Sequence, residues 1–228
     1  TTNPCVEIGM FPQLDGKSGW QGCNLTEING GKCVTKEDFF LACRAGAILG
    51  TLQAGYTDFK FLPDATKDIF DREALLGVSI TGWMNNPDIL FNAEILEEGA
   101  NIVKQVNREV AEVIGINAAA RTTCVKPSGN ASVLLQTASG IHAEHSSMYI
   151  RNVQMNKESE VTQAIQKQNP HMVEESVWSS GGTDVVVSFP ILPKEGSMLK
   201  DDLIGVDHLE KVKLAQEHWV NAGTNEEL

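Results

Sequence analysis

Gly77-Val78-Ser79-Ile80-Thr81 is a short run with β-branched residues and no charge, and the long helical pattern behind it sets the class of the fold. Asn92 is a helix N-cap residue, and after it Leu96, Ala100, Val103, Val106, Val110, Val113 and Ile114 recur at helical spacing, with Gly115 placed to end the helix. Thr122 to Lys126 is then a second strand, running into the breaker Pro127-Ser128-Gly129-Asn130 and a helical stretch from Ala131 to Gln136. Two strands joined by a long helix are parallel neighbours, because a hairpin cannot contain the helix.

The pattern extends in both directions. Upstream, Trp20 to Ile28 reads as a strand. Thr35 caps a helix whose Phe39, Phe40, Cys43, Ala47, Ile48 and Leu52 run to about Gly55, and Asp64 to Leu76 is a short helix. Gly9 to Ser18 reads as a connection. Downstream, Met148 to Met155 is a strand, and Glu158 to Gln168 is a polar helix stopped by Asn169-Pro170. Asp184 to Phe189 is a β-branched run expected to be covered on both faces, and Asp207 opens a last helix with Leu209, Val212 and Trp219 on one side. The class is α/β with a parallel sheet, read as one domain over 1–228. About five strands are too few to close an eight-stranded barrel.

Composition narrows the function classes. The chain has 228 residues, 42% apolar and 21% charged, as in a globular protein with a sizeable core. No apolar run reaches the roughly 18 residues of a bilayer span, and no signal peptide opens the sequence. Five cysteines without framework spacing point to a reducing, cytoplasmic setting. A net charge of −12 excludes a polynucleotide-binding stripe but not a nucleotide monomer.

The chemistry-bearing stretch is Thr1-Thr2-Asn3-Pro4-Cys5-Val6-Glu7-Ile8, which sets an amide, a thiol and a carboxylate at alternate positions. In an extended segment, residues two apart share a side, so the three could face one small substrate. On spacing alone, a surface turn opened by Asn-Pro is the stronger reading. Lys126-Pro127-Ser128-Gly129-Asn130-Ala131-Ser132 lies where a strand meets a helix, offering free N–H groups and short polar side chains to an anion, or simply a capped junction. Cys23 is a candidate reactive thiol or a buried strand thiol, and Cys33 and Cys43 read as a loop and a core thiol. His142 and His145 lack further ligands at metal spacing, so no metal is expected. The four tryptophans, at 20, 83, 178 and 219, read as core or interface.

Asn-Pro-Cys-x-Glu resembles the finger loop of the ribonucleotide reductases. With Gly22 to Ile28, Gly50 to Thr57, Gly77 to Gly82 and Arg121 to Gly129 in the family's order, the chain is similar to the adenosylcobalamin-dependent class II enzymes from Asn3 to about Thr224. The single-chain ribonucleoside-triphosphate type is the nearest in pattern. The resemblance implies the second half of a ten-stranded α/β barrel with the finger loop at its N-terminus. It implies thiyl-radical reduction of ribonucleotides for DNA synthesis, with adenosylcobalamin as cofactor. Cys5 would become the thiyl and abstract hydrogen from C3′, Glu7 would accept the 3′-hydroxyl proton, and Asn3 would hold the 2′-hydroxyl. Cys23 would belong to the redox pair, with its partner cysteine in the first half-barrel. Lys126 to Ser132 would bind phosphates, although Asn130 stands where relatives often carry threonine. The implied partners are a ribonucleotide, diphosphate or triphosphate, a complementing N-terminal half, and a thioredoxin-like dithiol reductant. Other readings are a phosphate-binding or scaffold subunit of a split reductase, or another thiyl- or glycyl-radical barrel enzyme.

Overall fold

The computed structural model describes residues 1–225. Within the span read as one domain, the described residues form two compact units, 1–144 with the residues from 194 onward, and 145–193.

In the first unit, Thr1 to Met10 is a tight hairpin, closed by a Thr2–Gly9 antiparallel bridge and the Met10 N–H donating to Thr1 O at 2.8 Å. A second small hairpin pairs β1 (Gln13–Leu14) with β2 (Lys17–Ser18) across Asp15 and Gly16, both at positive φ. The connection expected over Gly9 to Ser18 therefore holds a hairpin. Its Asp-Gly turn matches the right-handed twist of the flanking strands.

β3 (Asn24–Asn29) leads through α1 (Lys36–Ala54) and α2 (Ala65–Glu73) to β4 (Leu76–Thr81). β3 and β4 are parallel and in register from Asn24–Leu76 to Asn29–Thr81. Thr35 caps α1 by accepting the Asp38 N–H at 3.1 Å, while the Asp38 carboxylate takes the Thr35 N–H. A short α3 (Pro87–Leu90) precedes the long α4 (Ala93–Ile114), capped by Asn92 and ended by Gly115 at φ +74.

α1 and α4 pack against each other and, with the sheet, enclose the core of Phe39, Cys43, Ala47, Val78, Ile80, Leu96, Ala100, Val103 and Trp219. Gly99 makes the helix contact possible, since a Cβ there would lie 2.5 Å from the Phe39 ring. Truncating a core aromatic of this kind costs about 3–5 kcal/mol.

Every residue of β4 is buried, as expected for a strand covered on both faces. One cover is the helix layer. Over the other, Ile8 of the N-terminal hairpin packs with Leu75 and Cys124, flanked by Cys23 and Leu25. The expected strand over Thr122 to Lys126 is not a regular strand. It makes one parallel bridge, Thr123 to Val78, before α5 (Ala131–Leu135).

The second unit contains β5 (Tyr149–Asn156), α6 (Glu160–Gln168), β6 (Val173–Glu175) and β7 (Asp184–Ile191). β7 is central and antiparallel to both neighbours. These strands therefore do not extend the parallel sheet, and the expected five-stranded parallel arrangement is corrected to β3, β4 and the bridge at Thr123. The β7 run is not covered on both faces either. Val185 and Val187 are buried while Val186 and Ser188 are half-buried, the alternation of a sheet packed on one side.

The chain returns to the first unit with α7 (Gly205–Ala215) and a π-helical turn, Gln216–Val220. Asp207 does not open α7. It lies inside the first turn and accepts the Ile204 N–H at 3.2 Å. Trp219 is fully buried, but Leu209 is exposed, so the expected apolar face holds only in part. The segment beyond straps the far side of residues 119–124. Gly223 O accepts both the N–H and the hydroxyl of Thr122, Trp219 O accepts the Thr123 hydroxyl at 2.6 Å, and the Asn225 N–H donates to Ala120 O. The Trp219 indole N–H donates to Cys124 O at 3.2 Å, the carbonyl that would carry the ladder on toward Ile80. None of the described helices is long and apolar enough to cross a membrane.

Candidate functional site

Asn3, Pro4, Cys5 and Val6 form a turn with proline at its second position, the Val6 N–H donating to Asn3 O at 3.0 Å. Val6 sits at φ +65, a strained conformation for a β-branched residue. That reversal breaks the alternation expected over Asn3, Cys5 and Glu7. Cys5 is exposed at the tip. The Glu7 carboxylate turns inward, with both oxygens buried and lacking a hydrogen-bond partner. Asn3 Oδ1 accepts the Ile8 N–H at 3.2 Å, which closes the hairpin and leaves its amide N–H groups outward. The three do not share one face.

Two cavities flank the loop. Asn3, Pro4, Trp20 and Cys23 border one of about 710 Å³. Glu7, Arg121, Cys124 and Asn221 border another of about 590 Å³. Both volumes suit a small organic ligand.

Cys23 enters β3 on the face beneath the hairpin. Burial pushes its thiol up to about 12, the Glu7 charge adds to the rise, and the Asn24 N–H offsets part of it. Cys124 is raised mainly by burial, then by Cys23 and Glu7. The two sulfurs meet across Gly77, where a Cβ would lie 3.0 Å from Cys124 Sγ, 3.1 Å from Cys23 Sγ and 2.5 Å from Leu25. They stand on chain segments either side of β4, so their backbones are at least about 9.5 Å apart. A disulfide needs Cα atoms within about 7 Å. Cys124 is thus a packed neighbour of Cys23 and not its disulfide partner in this arrangement.

In the expected phosphate segment, Lys126 is not a free cation. It forms an ion pair with Glu27 of β3, both side chains only 12% exposed. Burial raises the Glu27 carboxyl, and Lys126 opposes the rise. Ser128 and Ser132 are buried, with the Ser128 hydroxyl donating to Ser132 at 2.9 Å and lying 3.0 Å from Ser139. Their hydroxyls brace the turn and do not face outward. Pro127, Gly129 and Asn130 are exposed, and Gly129 adopts φ +54 with open space beside it. Asn130 makes no side-chain cap. Among the described residues, no carbonyl accepts the N–H groups of Ser128, Gly129 and Asn130. Any anion site here is therefore made of backbone.

No cluster of three or more His, Cys, Asp or Glu side chains able to hold a metal occurs among the described residues. His142 stacks on His208 with ring centroids 5.5 Å apart. Sequence reasoning missed Glu27 as the partner of Lys126, the place of Arg121 beside Glu7, and Trp20, which is 61% exposed on a cavity wall where core or interface was expected. The glycines flanking Trp20 were the signal that could have singled it out.

No family model matches the chain. An adenosylcobalamin-dependent ribonucleoside-triphosphate reductase of Euglena gracilis is 24% identical over 226 residues, 96% of this chain and 29% of the relative. A probable enzyme of the same description from Dictyostelium discoideum is 24% identical over 225 residues, 96% of this chain and 28% of its own length. A crystal structure of a B12-dependent (class II) ribonucleotide reductase superposes with a TM-score of 0.76 at 16% identity, over 96% of this chain and 33% of that one. The chain thus spans about a third or less of the length of these relatives, and its fold is that of a part of the solved structure.

Proposed function

We propose that this chain is the C-proximal catalytic portion of an adenosylcobalamin-dependent ribonucleotide reductase, built as part of the second half of a ten-stranded barrel. The observation that carries the reading is the Glu7 carboxylate, buried without a partner beside the Cys23 thiol, on the loop that the sequence singles out. An unsatisfied buried carboxylate is costly unless a ligand donates to it. A ribose hydroxyl is such a donor.

Each residue has a separate task in the reconstituted enzyme, where the loop must bring Asn3, Cys5 and Glu7 to one ribose. Cys5, exposed at the turn, is the sulfur that takes the C3′ hydrogen atom, and the cofactor supplies the radical equivalent when bound. Glu7 takes the 3′-hydroxyl proton. The free amide N–H groups of Asn3 hold the 2′-hydroxyl. Cys23 and a second thiol outside this chain give two electrons and two protons as the 2′-hydroxyl leaves as water, and a thioredoxin-like dithiol reduces the resulting disulfide. The high proton affinity of Cys23 keeps it a thiol at neutral pH, the form that donates hydrogen. Ser128, Gly129 and Asn130 offer backbone N–H groups to the phosphates, with Lys126 holding the turn against Glu27.

A corrin macrocycle with its nucleotide tail exceeds the drug-sized ligands that cavities of this kind enclose. The chain therefore fits the cofactor only as a wall around the exposed Cys5, and no residue here is assigned to hold it.

The test is reconstitution with a chain supplying the rest of a relative's length, adenosylcobalamin and a dithiol, following deoxyribonucleotide formation. Activity is expected only in the mixture. Cys5→Ser should abolish it, and Glu7→Gln should lower kcat by about 10²–10⁴. Turnover surviving Cys5→Ser would defeat the reading.

A further inference from the structure

We propose that Trp20 is a stacking platform for the substrate's nucleobase, in the cavity that adjoins Asn3 and Cys23. This rests on the reductase reading and extends it to a residue that reading leaves idle.

Trp20 is an anomaly as a structural residue. It is 61% exposed, yet its backbone is fixed. A Cβ at Gly19 would lie 2.8 Å from Ile69, and one at Gly22 would lie 2.6 Å from the Phe70 ring, so the chain lies flat on α2 on both sides of it. The Trp20 N–H donates to the Thr66 hydroxyl at 3.3 Å. Gln21 is held as well, accepting the Phe11 N–H and donating to Glu73. A rigid mount that presents an indole to solvent holds an apolar face ready at little entropic cost on binding.

The cavity beside it is of nucleotide size, about 710 Å³, with Pro4, Met10 and Pro12 among its walls and no charged side chain in its lining. An uncharged, apolar slot suits the flat ring of a nucleotide and not its phosphates. Each end of the Gln21 amide already holds a partner, which ties that side chain to Phe11 and Glu73. Stacking is tolerant of base identity because every base has a π-face. The slot should therefore accept purines and pyrimidines alike.

The test uses the full chain in a Trp178→Phe background, which removes the other exposed indole; Trp83 and Trp219 are fully buried. CTP and GTP are titrated by calorimetry and by tryptophan emission, with ribose 5-phosphate as the base-free control. Both nucleotides should quench Trp20, and ribose 5-phosphate should not. Trp20→Ala should raise the Kd for both about tenfold or more, and Trp20→Phe should stay within about threefold of the parent. Nucleotide binding with an unchanged Kd in Trp20→Ala would overturn the slot and leave the reductase reading standing. No nucleotide binding at all would overturn the slot, while the reductase reading would still be decided by the reconstitution assay.

Discussion

At Cys23 the chain holds a proton far more tightly than a free thiol does. Its pKa is pushed from 9.0 up to about 12, chiefly by burial and then by Glu7, and Cys33 is pushed up to about 11 by burial and Asp38, with Lys194 opposing. The folded form keeps these protons at pH values where the unfolded chain has released them. Each group therefore contributes stability that is intact below pH 9 and is lost as pH rises toward the folded value, at about 1.4 kcal/mol per pH unit. Urea unfolding should show stability falling from about pH 9 upward, and Cys23→Ala should flatten the slope by about one proton. A slope identical in the variant would mean that Cys23 titrates normally. Nothing in the residue type announces this. By residue type Cys23 could be a strand thiol, although the resemblance favoured a redox thiol, and its environment is set by burial and by Glu7, which turns inward after the reversal at Val6.

Elements whose ends carry their own signals were legible in the sequence. Thr35 and Asn92 begin α1 and α4, and Gly115 ends α4, each within a residue of expectation, because caps are local chemistry. Pairing direction was not legible. Val185 to Val187 has the same β-branched character in a parallel or an antiparallel sheet, and only tertiary neighbours decide. The turn before α5 lies between these cases. Its glycine was visible, but its serines point inward to one another, a matter of rotation about the chain axis. Gly129 at φ +54 has nothing near its missing Cβ, so substitutions there act through the backbone alone. Gly129→Asn should cost a few tenths of a kcal/mol, and Gly129→Val about 1–2 kcal/mol, read from urea midpoints. With the N–H groups misdirected, Gly129→Val should also weaken nucleotide binding about a hundredfold. Equal stability of the two variants would mean that the turn relaxes to another conformation.

On the scale of the whole molecule, the parallel sheet of the first unit is closed on its far side by the last residues described. Gly223 is the tightest point, since a Cβ there would lie 1.8 Å from the Thr123 hydroxyl. Gly223→Ala should destabilise the chain by about 1–3 kcal/mol through overpacking. Thr123→Ala should relieve much of that cost, so the double variant should be less destabilised than the sum of the singles. Strict additivity in thermal or urea unfolding would show that the strap does not bear on this segment. The resemblance led to a fold shared with the class II reductase structure, but the small extent of the parallel sheet comes from pairings that no local pattern encodes.

The strap has a consequence for how the chain is made. Thr122 is tied to Gly223, 101 residues later, and Cys124 to Trp219, 95 residues later. On the ribosome, the segment beneath Glu7 and beside Cys23 is complete long before the residues that seal it emerge. For that interval, at roughly 5–20 residues synthesised per second, the nascent chain carries an open sheet edge beside its N-terminal hairpin. The edge is closed only when the strap around Gly223 has been synthesised.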